Sequence, residues 1–227
     1  LKPVSRPEAP IRRTLRHLLN WSPPYAGMTT ALLVLLLAGD VYAANAPATP
    51  VESPQLQKCL KRADDLPDMA AAEAQMWIKK NGGNDAHLCF AFAQANRGMH
   101  SDAAREFWYV AAYYDKNDTK RAVLMHAMSG HEFMRAKEYR AAEFQYGNAL
   151  KIAPGDVSSL IGRAESRTEQ QKYWDALDDL NKAVAANPRD AYALRQRARV
   201  WLKLDNTKNA EEDFSNADAL DGTPPAK

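Results

Sequence analysis

The stretch that decides the fold is EYRAAEFQYGNALKIAP at residues 138–154, because KYWDALDDLNKAVAANP at residues 172–188 repeats its pattern thirty-four positions later. Small residues fall on small residues under this shift, and the series continues on both sides. The registered small positions are Gly130, Ala164 and Ala198; Ala142, Ala176 and Ala210; and Ala149, Ala183 and Ala217. Proline ends both patterns, because it cannot continue a helix. Such a period indicates stacked helical hairpins, since one hairpin alone cannot bury its apolar face.

This pattern resembles the tetratricopeptide repeat (TPR), a helix–turn–helix unit with small residues where its helices touch. The three matching units are SGHEF with EYRAAEFQYGNALKIAP, GRAESR with KYWDALDDLNKAVAANP, and RARVWL with NAEEDFSNADAL. The chain departs from the pattern at its leading aromatic position, which holds His126, Leu160 and Leu194, and at Thr207 and Gly222 in the last unit. The resemblance implies an all-α, right-handed α-α superhelix with three regular 34-residue units. The alternative is an ordinary helical bundle without a shared period.

Composition agrees with a helical protein and excludes a nucleic-acid-binding surface of the basic type. The 227 residues contain abundant alanine and little β-branched alternation. The formal net charge is +2, but residues 1–43 hold five of the basic groups and two of the acidic groups. The remainder carries 25 basic and 26 acidic groups, so no basic stripe is present to displace phosphate counterions.

The N-terminal part has the pattern of an export signal. Residues 1–27 form an upstream basic segment that is predicted to be disordered or to precede the true start at Met28. Residues 28–43 contain the apolar run ALLVLLLAG, too short to span a membrane, followed by the small-x-small site Val-Tyr-Ala. We expect cleavage after Ala43, release into the periplasm or medium, and no stable membrane anchor afterwards. Arg12-Arg13 allows a twin-arginine signal, although the apolar run lies far from it.

A linker and two less regular hairpins precede the regular units. Residues 44–54 read as an Ala/Pro/Thr linker, residues 55–221 as the repeat domain and residues 222–227 as a tail. Helical patterns cover 55–64, 69–80, 85–97 and 103–114, which brings the total to about five hairpins. The spacing between the second irregular hairpin and the first regular unit exceeds thirty-four by about four residues.

The two cysteines favour a disulfide. Cys59 and Cys89 lie in the first helices of successive hairpins, and such helices are neighbours in a stack. In an exported protein, an even number of cysteines indicates a disulfide in the first instance. Two buried free thiols remain the alternative.

No pattern of catalytic, cofactor-binding or metal-binding residues stands out. His87, Cys89 and His100 match no zinc spacing, and His126 and His131 are five apart, so they do not share a helix face. We therefore predict no enzyme activity, no cofactor and no metal. The aromatic residues are expected to pack mainly between helices, with stacking platforms for sugars as the alternative.

The resemblance implies that the first helices of the hairpins line a concave groove for a partner protein's peptide or helix. The groove positions implied in this way are Ala127, Met128, His131, Met134, Ile161, Glu165, Thr168, Arg195, Arg199 and Leu202. Methionine suits adaptable apolar contacts, and two arginines one turn apart suit carboxylate recognition. The alternative hypothesis is that Arg195 and Arg199 lie on a solvent-exposed face and pair with carboxylates of the same protein.

The sequence thus predicts a non-enzymatic scaffold or adaptor of the bacterial cell envelope. The alternative function is that of an accessory protein or enzyme subunit associated with carbohydrate or peptidoglycan. A cytoplasmic repeat protein would require the apolar run to be a buried helix. The partner is expected to be another protein and not a nucleic acid.

Overall fold

The structure is a computed structural model that describes residues 53–116 and 118–222. This described part holds ten α-helices, which pair as five consecutive hairpins. The helices are α1 (Pro54–Asp65), α2 (Pro67–Lys79), α3 (Gly83–Asn96), α4 (His100–Tyr114), α5 (Thr119–Arg135), α6 (Tyr139–Ile152), α7 (Val157–Glu169), α8 (Tyr173–Ala186), α9 (Ala191–Lys203) and α10 (Thr207–Leu220). The predicted all-α solenoid of about five hairpins is confirmed. The predicted segments 1–27 and 28–43 lie outside the described residues, as do most of the linker and tail.

Aspartate caps mark the residue after which the first helix begins in two of the regular hairpins. Asp156 and Asp190, thirty-four residues apart, precede α7 and α9. Asp156 Oδ2 accepts a hydrogen bond from the Ser159 amide at 2.8 Å, and Asp190 Oδ1 accepts from the Ala193 amide at 3.0 Å. These bonds satisfy amides that have no partner within the first helical turn.

Repeated left-handed residues reverse the chain inside each regular hairpin. Lys137, Gln171 and Asp205 have φ angles of 60°, 62° and 56° and are spaced by thirty-four. The amide after each one bonds back to a carbonyl five residues earlier, at 2.9, 2.8 and 2.9 Å. This is the Schellman arrangement, which ends a helix and turns the chain.

The longer spacing before the regular units is taken up by α5. This helix has 17 residues, whereas α7 and α9 have 13 each. The additional turn lies at its start, from Thr119, because Val123 is the position that registers with the first residue of α7. The irregular spacing is therefore one extra helical turn and not an extra loop.

The helices form two layers. We call the first helix of each hairpin (α1, α3, α5, α7, α9) inner and the second (α2, α4, α6, α8, α10) outer. Inner helices contact one another along the stack: α1 contacts α3, α5 contacts α7, and α7 contacts α9. Among the described residues, no two outer helices contact each other as extensively as these inner pairs. Each of the first four outer helices also packs on the inner helix that follows it. The buried apolar residues form three clusters that follow one another along the stack, across α1–α5, α4–α6 and α6–α9.

The core depends on small residues, as the period predicts. The registered alanines are fully buried. Gly130 of α5 and Gly162 of α7 both approach the ring of Tyr146, which is 1% exposed. A Cβ atom at Gly162 would lie 2.3 Å from Tyr146 Cζ, and one at Gly130 would lie 2.9 Å from it. Glycine is therefore required at Gly162 for inner helices to pack against this tyrosine.

Two buried carboxylates repeat with the same period as the helices. Arg163 of α7 bonds both oxygens of Asp179 at 2.8 and 2.7 Å. Arg197 of α9 bonds both oxygens of Asp213 at the same two distances. Each pair ties an inner helix to its own outer helix, and the two-pronged geometry compensates the burial of the charge.

The predicted cysteine pair is joined in the structure. Cys59 of α1 and Cys89 of α3 form a disulfide with their Cα atoms 5.8 Å apart. It tethers the first inner helix to the second. Among the described residues, no helix is both long and apolar enough to cross a membrane.

Candidate partner-binding groove

A cavity of about 610 Å³ opens on the inner layer between three successive inner helices. We call it the inner groove. Its lining consists of Met134 of α5; Glu165, Thr168 and Glu169 of α7; Leu180 of α8; and Tyr192, Gln196, Arg199, Val200, Leu202 and Lys203 of α9. Cavities that hold ligands measure roughly 300–1,000 Å³. The groove is therefore large enough for several side chains of a bound segment.

Half of the predicted groove residues line this cavity. They are Met134, Glu165, Thr168, Arg199 and Leu202. They come from α5, α7 and α9, as the resemblance implies, and the structure brings them together around one space. Their contact with a partner stays a prediction.

Two predicted residues lie elsewhere, which corrects their expected role. Ile161 is fully buried and belongs to the core cluster between α7, α8 and α9. Arg195 turns towards α10, where its Nη2 lies 3.0 Å from Asp218 and 2.6 Å from Asp221. Ile161 is therefore packing and Arg195 is a paired surface charge, because the helix that follows α9 supplies both acidic partners.

The three predicted residues that precede Met134 on α5 do not line the cavity. Ala127 and Met128 are partly buried and pack against core clusters. His131 Nδ1 lies 3.3 Å from Glu132 Oε1, and its charge also acts on Glu165 across the inner layer. His131 is therefore next to the groove without forming its wall.

Glu132, which follows His131 on α5, is a buried carboxylate next to the groove. Burial alone would raise its pKa, but the hydrogen bond and charge of His131, together with Arg135 and His100, hold the pKa below its ordinary value. His100 Nδ1 lies 2.8 Å from Glu132 Oε2, which links α4 to α5. The cluster is a polar contact between hairpins.

One row of groove-lining residues on α9 was not among the predicted groove positions. Tyr192, Gln196, Arg199 and Lys203 follow one another at spacings of four, three and four and all line the groove. The expected stripe contained Arg195 in place of Gln196. The sequence does contain this pattern, because the row through Arg199 has the spacing of one helix face.

A partly buried hydrogen bond joins two sides of the groove. The Tyr192 hydroxyl of α9 donates to Glu165 Oε1 of α7. Burial raises the pKa of Glu165, although Tyr192, His131 and Arg199 partly offset that effect. Burial and the adjacent carboxylate also raise the pKa of Tyr192. The bond fixes the spacing of α7 and α9 and partly occupies the carboxylate.

The open edge of the groove carries an apolar residue, Leu202, two cations, Arg199 and Lys203, and one carboxylate, Glu169. Leu202 is 46% exposed, and Arg199 and Lys203 are also exposed. Arg199 Nη1 donates to Gln196 on its own helix at 3.3 Å. In the described part of the chain, neither Arg199 nor Lys203 has a carboxylate within 4.0 Å. Neither cation is therefore held in an ion pair, although the charge of Arg199 also acts on Glu165.

A second cavity, of about 250 Å³, lies between α9 and α10. Arg197 and Asp213, which line it, already bond each other. Within the described residues, no three His, Cys, Asp or Glu side chains are placed to hold a metal ion.

Comparisons with known proteins agree on the type of repeat. The chain matches no family model. It is 32% identical over 116 residues to the human mitochondrial import receptor subunit TOM70, covering 49% of this chain and 19% of that protein. It is 28% identical over 105 residues to a Dictyostelium discoideum DnaJ homolog subfamily C member 7 homolog, covering 44% of this chain and 20% of that protein. The chain thus spans about a fifth of the length of these curated relatives.

Solved structures show the same fold over most of the described residues. MamA from Desulfovibrio magneticus RS-1 superposes with a TM-score of 0.63 at 18% identity, over 74% of this chain and 92% of that chain. Another crystal structure of MamA gives a TM-score of 0.62 at 14% identity, over 71% and 92%. At this identity the likeness concerns the fold.

The thirty-four-residue period, the five hairpins and these matches together make the chain a tetratricopeptide-repeat protein. Repeats of this class serve as protein–protein interaction scaffolds.

Proposed function

We propose that the inner groove binds an extended segment of a partner protein that carries both apolar and acidic side chains. The observation that supports this proposal is the joint lining of one cavity by α5, α7 and α9, with two unpaired cations at its open edge. A segment that crosses three inner helices can make contacts in several hairpins at once.

The groove offers a partner two kinds of contact, apolar contacts and contacts with positive charges. Met134 and Leu202 provide adaptable apolar surface, which retains a bound side chain by its burial. Arg199 and Lys203 attract an acidic group before contact is made. Charges at a rim mainly change the association rate and its salt dependence, whereas buried anchors mainly change dissociation.

We also propose that the protein acts outside the cytoplasm of a bacterial cell. The apolar run and cleavage site at residues 28–43 support this setting. The Cys59–Cys89 disulfide supports it as well, because disulfides persist in oxidising compartments. In the cell envelope the protein would hold another envelope protein and carry out no chemistry itself.

Selection from a random peptide library tests the groove proposal. The wild-type chain should enrich peptides that combine apolar and acidic residues. Replacing Arg199 and Lys203 by alanine should weaken binding of the enriched peptides by about tenfold or more at low salt and flatten the salt dependence.

The matched control removes the same charge from the outer helices. Lys182→Ala with Lys208→Ala, both exposed, should leave peptide affinity unchanged. Enrichment of basic peptides, or equal loss with both double variants, would overturn the groove proposal.

N-terminal sequencing tests the setting. Protein recovered from the periplasm or medium should begin at Ala44 or within a residue or two of it. An intact N-terminus in soluble cytosol would contradict export.

A further inference from the structure

Large apolar side chains are exposed on the outer helices, on the opposite layer from the groove. Trp108, Tyr109 and Tyr113 of α4 are 43%, 57% and 53% exposed, and Phe144 of α6 and Trp174 of α8 are 52% and 66% exposed. The Trp108 and Phe144 rings meet edge to face with centroids 6.0 Å apart, so α4 and α6 present one surface. We call these five side chains the outer aromatic face.

Opposite charges lie side by side on this face. Arg140 and Lys151 share the exposed stripe of α6 with Phe144, and the Lys151 ammonium lies 5.8 Å from the centre of the Phe144 ring. Asp175 and Asp178 are exposed next to Trp174 on α8, with Lys182 one turn beyond. Among the described residues, none of these charges belongs to an ion pair.

We propose that the outer aromatic face is a self-association surface on which two copies of the chain pair about a twofold axis. The axis of this proposed pair passes between α6 and α8, so α6 of each copy lies against α8 of the other, and each contact occurs twice. Arg140 and Lys151 of one copy then meet Asp175 and Asp178 of the other, and the reciprocal contact forms at the same time. The aromatic side chains fill the space between the two charged zones.

The available area suits a second copy. At their observed exposures, the five aromatic side chains offer roughly 500 Å² of apolar surface, taking about 200 Å² for each whole side chain. A standard interface buries about 800 Å² on each partner, so this patch supplies more than half. The largest apolar patch of a typical monomer measures about 300–600 Å² and is often functional, and this surface falls within that range.

The charges favour a second copy over a lipid surface. Trp, Tyr, Arg and Lys together also suit anionic headgroups. Asp175 and Asp178, however, would be pressed against the same headgroups, whereas a second copy offers cations to them. This self-association leaves the inner groove open and does not depend on the proposed partner.

Sedimentation velocity of the full chain at low salt, over a range of concentrations, tests the proposal. We expect a monomer–dimer equilibrium that weakens as salt is added. One variant carries Arg140→Glu and Lys151→Glu, and a second carries Asp175→Lys and Asp178→Lys. Each alone should dimerise about tenfold or more weakly, because like charges then face each other across both contacts.

Mixing the two variants gives the decisive result. A mixed dimer has attractive contacts at both positions, so the equimolar mixture should regain dimerisation close to that of the wild type. Lys58→Ala with Lys61→Ala, both exposed on α1, provides a control with unchanged stability of the dimer, and circular dichroism should show equal helicity in all variants. The N-terminal segment is the same in every variant, so association through it would not respond to these changes.

Three outcomes would overturn the proposal: a wild type that stays monomeric at all concentrations, variants that dimerise as well as the wild type, or a mixture that does not recover. A monomer that binds anionic vesicles through Trp108 and Phe144 would assign the face to lipid. Retained peptide binding by a dissociated variant would show that the groove works independently.

Discussion

Replacing Gly162 by alanine tests the packing of the inner helices directly. The new Cβ atom would lie 2.3, 2.5 and 2.8 Å from three atoms of the Tyr146 ring, closer than carbon atoms approach in proteins. The ring is 1% exposed and cannot move into solvent. Overpacking of this kind costs about 1–3 kcal/mol, occasionally more, while alanine gains up to ~1 kcal/mol over glycine inside a helix. We therefore expect a net loss of about 1–2 kcal/mol in the free energy of unfolding.

Gly147 provides the matched control. It also lies within a helix, α6, but a Cβ atom added there has no neighbour within 4 Å. Gly147→Ala should therefore stabilise the protein by about 0.5–1 kcal/mol. Urea unfolding followed by circular dichroism measures both values. Gly130→Ala should fall between them, because its nearest ring atom is 2.9 Å away.

A second substitution shows whether Tyr146 causes the loss. In a Tyr146→Leu background the ring is absent, so Gly162→Ala should become neutral or stabilising. Equal stabilities of Gly162→Ala and Gly147→Ala, or an unchanged penalty without the ring, would refute the reasoning.

Three further predictions concern stability. Intact-mass analysis without reductant should show the chain two protons lighter with Cys59 and Cys89 peptides linked, and reduction should lower Tm; two freely alkylated thiols would contradict the disulfide. Ala176→Leu should destabilise by about 1–3 kcal/mol because this alanine is fully buried, whereas exposed Lys182→Ala should stay within about 0.5 kcal/mol; equal effects would contradict the register. Burial tends to raise the pKa of Glu143, but hydrogen bonds from Lys172, Arg167 and Gln170 lower it from 4.5 to about 2. A lowered pKa stabilises the fold above the unfolded value, so stability should fall as pH drops from about 4.5 towards 2, and Glu143→Gln should lack this component.

The period made the fold predictable because it fixes which residues are small. Each registered alanine is buried, so the period defined the three regular hairpins, and helical patterns before them indicated two more. The reversals inside the hairpins were less visible. Lys137, Gln171 and Asp205 adopt the left-handed conformation that glycine usually supplies, so no glycine marks those turns.

The groove was only partly predictable because its lining depends on how far each helix is rotated about its axis. The period places Arg195 and Arg199 on one helix, but it does not say which stripe of α9 faces inward. The nearby acids of α10 attract Arg195, and Gln196 takes the inward position. The pairing of Arg163 with Asp179 and of Arg197 with Asp213 could have been found, since both residue types repeat after thirty-four positions.

Site-specific photocrosslinking in cells that make the protein tests the central claim most directly. A photoreactive residue is placed at Leu202 in the groove or at Trp174 on the outer helices, both of which are exposed. We predict that position 202 crosslinks a protein other than this chain, and that Arg199→Ala with Lys203→Ala abolishes the adduct. Position 174 should give only adducts with the mass of two copies of the chain. A foreign protein crosslinked from position 174 and not from position 202 would contradict the account.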